Sequence, residues 1–241
     1  MALSISQTVA LGRILKPGMR MASMGYPDLI APLALLLGML PRETYAPLEY
    51  RADSAAICRR HGLQQRNIPD SVSFFNLLGC KLDVYDIVAE RGCEIMCDLN
   101  VYLHPERKYD IVLDVGTVEH CFNIGQAIVN MAEMLNIGGI IIHENPFNWP
   151  NHGFYNLNPT FFADFYAANG FKLLDCKLVT RDGRSAEVPH TARFKAGVEE
   201  VNIFAMAQRV EIKPFVWPLQ SKYAKAVPAA GVDRAMEKEH A

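Results

Sequence analysis

Two aspartates that follow apolar runs of the sequence have the chemistry to hold a nucleoside. At Asp86, a carboxylate can accept hydrogen bonds from both hydroxyls of a ribose. Asp98 could accept from the exocyclic amine of adenine, with the backbone around Leu99 beside the ring edge. Each acid taken alone could equally be a helix cap or a solvated side chain. Together with Asp114 at the end of a third run, they favour a nucleoside over a phosphate, which acids would repel.

The sequence lacks the glycine patterns that hold phosphates. A dinucleotide-binding fold needs G-x-G-x-x-G so that the backbone can approach a pyrophosphate at a helix N-terminus. Here the first apolar run leads to a single glycine, Gly25, which is followed by Tyr26 and Pro27. The phosphate-loop pattern G-x-x-x-x-G-K-[ST] does not occur either. NAD, FAD and ATP are therefore disfavoured as ligands.

The composition indicates one domain with a small, roughly neutral partner. Half of the 241 residues are apolar, and the formal net charge is -2 from 24 basic and 26 acidic side chains. No block of like charges indicates nucleic acid or a membrane surface as a partner. The start does not look like a secretory signal, and the apolar segment 29–40 is too short to span a bilayer. The six cysteines form no C-x-x-C pair and no zinc set, so we expect reduced thiols, a cytoplasmic location and no metal site.

Short apolar strands alternate with helices, which is typical of a parallel sheet covered on both faces. The helix predicted over residues 123–135 lies between strands over 110–115 and 139–143. Asn123 can cap this helix and Gly138-Gly139 can stop it, so the segment forms a βαβ unit. The other predicted parallel strands span residues 20–24, 81–87 and 93–97, and further helices span residues 71–78 and 159–169.

Three further regions complete the predicted domain. Runs over residues 171–179 and 201–210 are joined by a polar loop and should pair antiparallel. The segment between the first two strands is too long for one crossover helix, so we expect a helical insertion at 29–78 with two or three helices. It would shape a pocket or an oligomer contact, such as that of a homodimer. The tail, 211–241, should pack through residues 215–218 and be mobile over its last dozen or so residues.

The ordered strand ends resemble those of a known enzyme family. "YDIVLDVGTVEH", followed by "MLNIGGIIIHENP", looks like the fourth strand, helix and fifth strand of the class I S-adenosylmethionine-dependent methyltransferases, the Rossmann-like group often called type 11. "CKLDVYDI" and "CEIMCDLN" stand where that family has its second and third strands. The resemblance covers residues 18–210 and is strongest over 81–175. It departs from the family at "MGYPD", which replaces a glycine-rich loop after the first strand.

The resemblance implies an α/β fold, a Rossmann-like three-layer α/β/α sandwich. Its sheet would be mostly parallel and seven-stranded, with an antiparallel C-terminal strand. Residues 1–241 would form a single methyltransferase-like domain with its core over 18–210. The implied cofactor is S-adenosyl-L-methionine, and the implied reaction is methyl transfer to a small-molecule acceptor, such as a sugar or natural-product hydroxyl, by in-line displacement. The residues expected to bind the cofactor are Gly25, Tyr26, Asp86, Ile87, Asp98, Leu99, Gly116 and Thr117.

A general base would help if the acceptor is a hydroxyl or an ammonium. The candidates are His120, which we expect to be exposed with Glu119 where an acceptor arrives, His143 and His152. A lone histidine more often packs or caps than acts as a base. We prefer His152 with Tyr155, then His120, because the loop around the first two is too aromatic to be a solvent connector. This loop could equally be a small satellite of the core.

Two other functions stay open at this stage. An enzyme of the same fold could cyclise or eliminate within S-adenosylmethionine itself, and the altered "MGYPD" loop would then hold the methionine part differently. A non-catalytic scaffold would also tolerate that loop. Such a scaffold has no reason to place carboxylates at three strand ends, so the acids oppose it.

Overall fold

One eight-stranded sheet organises the described part of the chain in a computed structural model, which covers residues 2–42, 46–64, 67–197 and 199–226. The strands are β1 (Ala2–Leu3), β2 (Arg20–Met24), β3 (Asp28–Leu29), β4 (Lys81–Asp86), β5 (Glu94–Met96), β6 (Tyr109–Asp114), β7 (Leu135–Pro146), β8 (Phe171–Val179), β9 (Ser185–Glu187) and β10 (Asn202–Arg209). The sheet runs in the order β5-β4-β2-β6-β7-β10-β8-β9. Strands β1 and β3 form a separate parallel pair.

The sheet is mostly parallel, as predicted. Strands β5, β4, β2, β6 and β7 are parallel neighbours, and β10 lies antiparallel between β7 and β8. The antiparallel pair predicted for 171–179 and 201–210 is confirmed. The predicted number of seven strands misses β9, a short exposed strand with no apolar run, which pairs antiparallel with β8. Strand order reverses between β2 and β6, where the carboxyl ends of parallel strands leave a crevice for a ligand.

Strand β7 is longer than predicted. The helix expected over 123–135 ends at Glu133, and the strand begins at Leu135 instead of Gly139. Gly138 has a φ of 82°, and the pairing with β6 shifts register there. The two glycines therefore form a bulge inside the strand and do not stop a helix.

Helices cover both faces of the sheet, which confirms the three-layer architecture. They are α1 (Ile5–Ile14), α2 (Leu33–Leu37), α3 (Ser54–His61), α4 (Ser71–Leu77), α5 (Ile124–Glu133) and α6 (Pro159–Ala168). Ile128 of α5 and Phe162 of α6 belong to one core cluster. Leu11 of α1 and Phe74 of α4 belong to the other. None of the helices in the described ranges has the length and apolar content that a membrane crossing requires.

Two regions lie outside the regular alternation of strands and helices, the insertion and the tail. The insertion contains the three helices α2, α3 and α4. In the tail, Phe215 is buried and stacks on Phe165, with ring centroids 6.2 Å apart. Trp217 lies so close to Gly125 that a Cβ there would be 2.7 Å from its ring. The last dozen residues, which are expected to be mobile, fall within positions 227–241, and these lie outside the described residues.

Candidate functional site

A cavity of about 640 Å³ opens at the carboxyl ends of β6 and β7. Val115 and Gly116 line it from the end of β6, and Glu144 and Pro146 line it from the end of β7. The N-terminal segment, the helical insertion and the loops after β7 and β8 supply the other walls. The cavity thus lies on the edge of the sheet where a doubly wound fold binds its ligands.

A buried hydrogen-bond network fixes the end of β6. Asp114 Oδ1 accepts from the backbone N–H of Thr117 at 2.9 Å, which holds the turn that follows the strand. Asp114 Oδ2 is bonded to His143 Nδ1 and to Asn145 Nδ2, each at 2.8 Å. Gly116 has a φ of 82°, and a Cβ there would lie 3.2 Å from Glu119 Oε1. Glycine is therefore suited to this turn, which delivers Glu119 to the cavity.

His143 belongs to this network and does not face the cavity. The residue is fully buried, and its Nε2 is hydrogen-bonded to the hydroxyl of Tyr166. With Nδ1–H donating to Asp114, Nε2 is left as the acceptor for the tyrosine hydroxyl. Burial raises the pKa of Tyr166 well above its ordinary value, which keeps that hydroxyl a donor. His143, one of the candidate bases predicted from the sequence, therefore has both ring nitrogens hydrogen-bonded in the interior and plays a structural role.

Glu119 is buried, although the sequence suggests an exposed position. Only 1% of the residue is accessible, because the 3₁₀ turn Val118–His120 directs it inward. Its Oε2 accepts from Asn145 Nδ2 at 2.9 Å, whereas Oε1 has no hydrogen-bond partner within the described ranges. Burial, with the negative charge of Asp114 adding to it, raises the pKa of Glu119 to about 8. A buried carboxyl group with a raised pKa thus lines the cavity.

His120 and His152 lie together beside Glu119. Their ring centroids are 5.3 Å apart, and both side chains are about half exposed at the cavity. Burial and then the neighbouring His152 lower the pKa of His120 below its ordinary value. Trp149 packs edge-on against His152, with ring centroids 5.3 Å apart. The two histidines predicted to be catalytic are therefore brought to one wall of the cavity.

Tyr155, the predicted companion of His152, points elsewhere. Its hydroxyl donates to the backbone carbonyl of Phe122 at 2.8 Å, and it is not among the residues that line the cavity. The loop reverses direction at Asn151, which has a φ of 58°. The backbone N–H groups of Phe154 and Tyr155 then donate to the carbonyl of Glu119. After this turn, His152 lines the cavity and Tyr155 does not. The bond from Tyr155 to Phe122 instead anchors the loop.

Glu144, at the end of β7, is a second buried acid on the cavity wall. Its Oε1 accepts from Asn202 Nδ2 at 3.0 Å, and Oε2 accepts from the hydroxyl of Ser4, the N-cap of α1. Burial raises the pKa of Glu144, although both hydrogen bonds oppose the shift. The N-terminal helix is thus fastened to the site through a carboxyl group.

We expect Glu144→Gln to stabilise the protein more at about pH 8 than at about pH 4. A carboxyl whose pKa is raised on folding adds stability below its unfolded pKa, and that stability is lost as the pH rises through the folded pKa. Glutamine does not titrate and can still bond Ser4 and Asn202. Melting temperatures across this range test the prediction, with Glu187→Gln on the exposed strand β9 controlling for the lost charge. A stability difference that is constant with pH would contradict it.

The predicted cofactor residues of the first strand follow β2. Gly25 has a φ of 82°, and its N–H donates to the carbonyl of Tyr85 at 2.7 Å. The hydroxyl of Thr117 donates to the carbonyl of Met24 at 2.6 Å, which ties the ends of β2 and β6 together. The Tyr26 side chain is 4% exposed and donates to Asp70. The guanidinium groups of Arg51 and Arg91 lie 4.9 Å and 5.2 Å from the centroid of its ring. A packed aromatic side chain therefore occupies the position of the family's glycine-rich loop.

Asp86 ends β4, and Asp98 lies two residues beyond the end of the neighbouring parallel strand β5. Oδ1 of Asp86 accepts from Val88 N–H, and Oδ1 of Asp98 accepts from the Asn100 N–H and side-chain amide. The second oxygen of each has no hydrogen-bond partner in the described part of the chain. Ile87 follows β4 and is 63% exposed. Leu99 is buried, with its carbonyl accepting from Asn130.

Several cavity residues escape sequence reasoning. Arg60 and His61 come from the helical insertion, and Arg181 comes from the loop after β8. The guanidinium of Arg181 lies over the ring of Trp149, at 5.3 Å from its centroid. The length of the insertion signals that it has a role, but its composition does not indicate that it forms a wall of this cavity.

No protein-family model matches the sequence, and no curated protein matches it significantly. Among solved structures, a complex between the Haloferax volcanii Trm112 methyltransferase activator and a methyltransferase gives a TM-score of 0.50 at 9% identity. The alignment covers 86% of this chain and 89% of that one. The chain has the class I S-adenosylmethionine-dependent methyltransferase fold.

Two further solved structures are similar at lower scores. TehB from Haemophilus influenzae gives a TM-score of 0.47 at 12% identity, over 84% of this chain. The chain spans 61% of the length of TehB. The 1,6-didemethyltoxoflavin-N1-methyltransferase of Burkholderia thailandensis, with bound 1,6-didemethyltoxoflavin and S-adenosylhomocysteine, gives 0.46 at 15% identity, over 85% and 76% of the two chains.

Proposed function

We propose that the protein transfers a methyl group from S-adenosylmethionine to a small-molecule acceptor, such as a sugar or natural-product hydroxyl. The observation that carries the proposal is the cavity of about 640 Å³ at the carboxyl ends of β6 and β7. Gly116 is the predicted cofactor residue that lines it, whereas β4 and β5, which lead to Asp86 and Asp98, lie on the other side of β2. In this proposal the acceptor occupies the cavity, and the adenosine moiety lies along the neighbouring carboxyl ends of β2, β4 and β5.

The predicted cofactor residues combine polar groups, which can bond the ligand, with glycines that let the backbone come close to it. Asp86 would accept from the ribose hydroxyls, and Asp98 from the adenine amine. The exposed side chain of Ile87 offers an apolar surface for the adenine ring. Gly25 and Gly116, both with positive φ, let the backbone approach closely. The remaining predicted contacts, which would be made through the backbone or the turn itself, are Tyr26, Leu99 and Thr117.

The cavity favours a neutral or anionic acceptor. Arg60 and Arg181 carry positive charge to its walls. The two acids on the walls, Glu119 and Glu144, both have raised pKa values, so they oppose this positive charge less than surface acids would. A cationic acceptor would meet repulsion from the arginines without full compensation.

S-adenosylmethionine, when bound, supplies a sulfonium methyl group whose transfer leaves a neutral thioether. The protein's own task is then to align the acceptor and to remove its proton. His152 and His120 stand at the cavity wall and can take that proton, with Glu119 adjoining both rings. Tyr155 contributes by anchoring the loop that carries His152.

Replacing Asp86 with alanine tests the cofactor site. We expect the affinity for S-adenosylhomocysteine to fall by about 1–3 kcal/mol, which is about 5- to 150-fold in Kd, because buried ribose hydroxyls would lose their acceptor. Isothermal titration calorimetry measures the change. Asp175→Ala is the matched control, because this aspartate pairs with Lys177 on strand β8. We expect it to leave the affinity unchanged.

The outcomes separate the three functions. An intact protein that binds neither S-adenosylmethionine nor S-adenosylhomocysteine would disprove the enzyme and favour a scaffold. Incubation with methyl-labelled cofactor and a metabolite extract should yield S-adenosylhomocysteine and a labelled acceptor. Methylthioadenosine formed without any acceptor would instead indicate cyclisation or elimination within the cofactor.

A further inference from the structure

Three side chains at the cavity are arranged as a metal-binding set. Glu119 Oε1 lies 3.7 Å from His152 Nε2 and 4.0 Å from His120 Nε2, and one ligand atom from each residue lies within 4.8 Å of the others. They come from two separate segments, the turn after β6 and the loop after β7. We propose that Glu119, His120 and His152 bind one divalent transition-metal ion.

A second, independent observation that points to a ligand concerns Oε1 of Glu119. It is buried, it lines the cavity, and it has no hydrogen-bond partner among the described residues. A buried acceptor left without a donor is costly, so native proteins rarely leave one. Asn145 holds the other oxygen of the same carboxylate at 2.9 Å, which leaves Oε1 as the oxygen nearest the two histidines. A cation at this point would satisfy it.

The two histidines can close on an ion with little rearrangement. Metal bonds of about 2.0–2.2 Å in a tetrahedral site place the ligand atoms about 3.3 Å apart, somewhat closer than they stand here. The side chains of His120 and His152 are 48% and 42% exposed, so their rings have space to turn. Glu119 is held by the fold and would remain the fixed ligand.

The donor set selects the kind of metal. Two imidazole nitrogens and one carboxylate suit Zn²⁺ or Fe²⁺, whereas Mg²⁺ and Ca²⁺ prefer oxygen ligands alone. Three protein ligands would leave at least one coordination position for water or a further ligand. If the proposed function also holds, the two histidines would hold the ion instead of acting as bases, and a hydroxyl acceptor bound to the ion would lose its proton to water more readily. Metal binding itself does not depend on that function.

Titration of Zn²⁺ into the full-length chain, free of metal and of any polyhistidine tag, tests the inference by calorimetry. We expect one ion per chain, with affinity lowered at least about tenfold in Glu119→Gln, His120→Ala and His152→Ala. Both histidines are half exposed, so their removal should leave the fold intact, as circular dichroism can check. His104→Ala, at an exposed histidine outside the cavity, is the control and should bind as the unmodified chain does.

The spectrum of bound Co²⁺ identifies the ligands. Absorption of a nitrogen- and oxygen-ligated ion, without a thiolate charge-transfer band, is expected and should disappear in His152→Ala. No Zn²⁺ binding, or equal binding by all three variants, would overturn the inference, the latter by placing the ion elsewhere. Calorimetry with S-adenosylhomocysteine on the same sample keeps the two proposals apart. Cofactor binding without Zn²⁺ removes only the metal site, and Zn²⁺ binding without the cofactor removes only the methyltransferase.

Discussion

Asp114→Ala is expected to lower the free energy of unfolding by about 3–5 kcal/mol. Its carboxylate is fully buried and accepts from the N–H of Thr117, from His143 and from Asn145. Alanine would leave these donors buried without an acceptor, and each such loss costs about 1–3 kcal/mol. Denaturant unfolding followed by tryptophan fluorescence measures the effect as a shift in midpoint.

Two controls make this result specific to the buried network. Asp110→Ala removes an aspartate from the other end of the same strand, where it bonds the exposed N–H of Arg20, and should cost about 1 kcal/mol or less. Asp114→Asn keeps an oxygen for Thr117 but turns an amide toward Asn145, so its cost should lie between the two. An Asp114→Ala loss as small as that of Asp110→Ala would show that the network does not hold the end of β6.

The fold is largely predictable because its central strands are short and apolar on both faces. Residues 20–24 and 110–115 appear as short, mostly apolar runs, and the cap at Asn123 is local in sequence. The errors arise where long-range pairing outweighs local signals. Gly138-Gly139 looks like a helix stop, yet pairing of the flanking residues with β6 draws both glycines into a strand. Strand β9 has no apolar face to reveal it.

The site is less predictable because its chemistry depends on which side chains meet across elements. Glu119 looks exposed in the sequence, but Asn145, from a different strand, bonds it in the interior. The sequence predicts no metal site because its cysteines form no zinc set. The actual grouping joins Glu119 and His120 to His152 from another loop. Such proximity is a product of the tertiary structure and leaves no pattern along the chain.

Gly153→Ala is expected to reduce both Zn²⁺ affinity and methyl transfer by about a hundredfold, because displacing a positioned group by about 1 Å can cost that much. A Cβ at this position would lie 2.8 Å from the backbone oxygen of Glu119 and 3.0 Å from its Cγ. The loop would have to move away, which would weaken the bond from Phe154 N–H to Glu119 and separate His152 from the carboxylate. Calorimetry with Zn²⁺ and a labelled-methyl assay measure the two losses.

The same substitution should leave S-adenosylhomocysteine binding nearly unchanged, since Asp86 and Asp98 end strands on the other side of β2. The free energy of unfolding should fall by only about 1–3 kcal/mol, because the clash is confined to one loop. Gly197→Ala is the matched control: a Cβ there meets nothing within 4 Å, and its stability should change by less than about 0.5 kcal/mol. If Gly153→Ala kept full metal affinity and activity, the contact between this loop and Glu119 would not be what assembles the site.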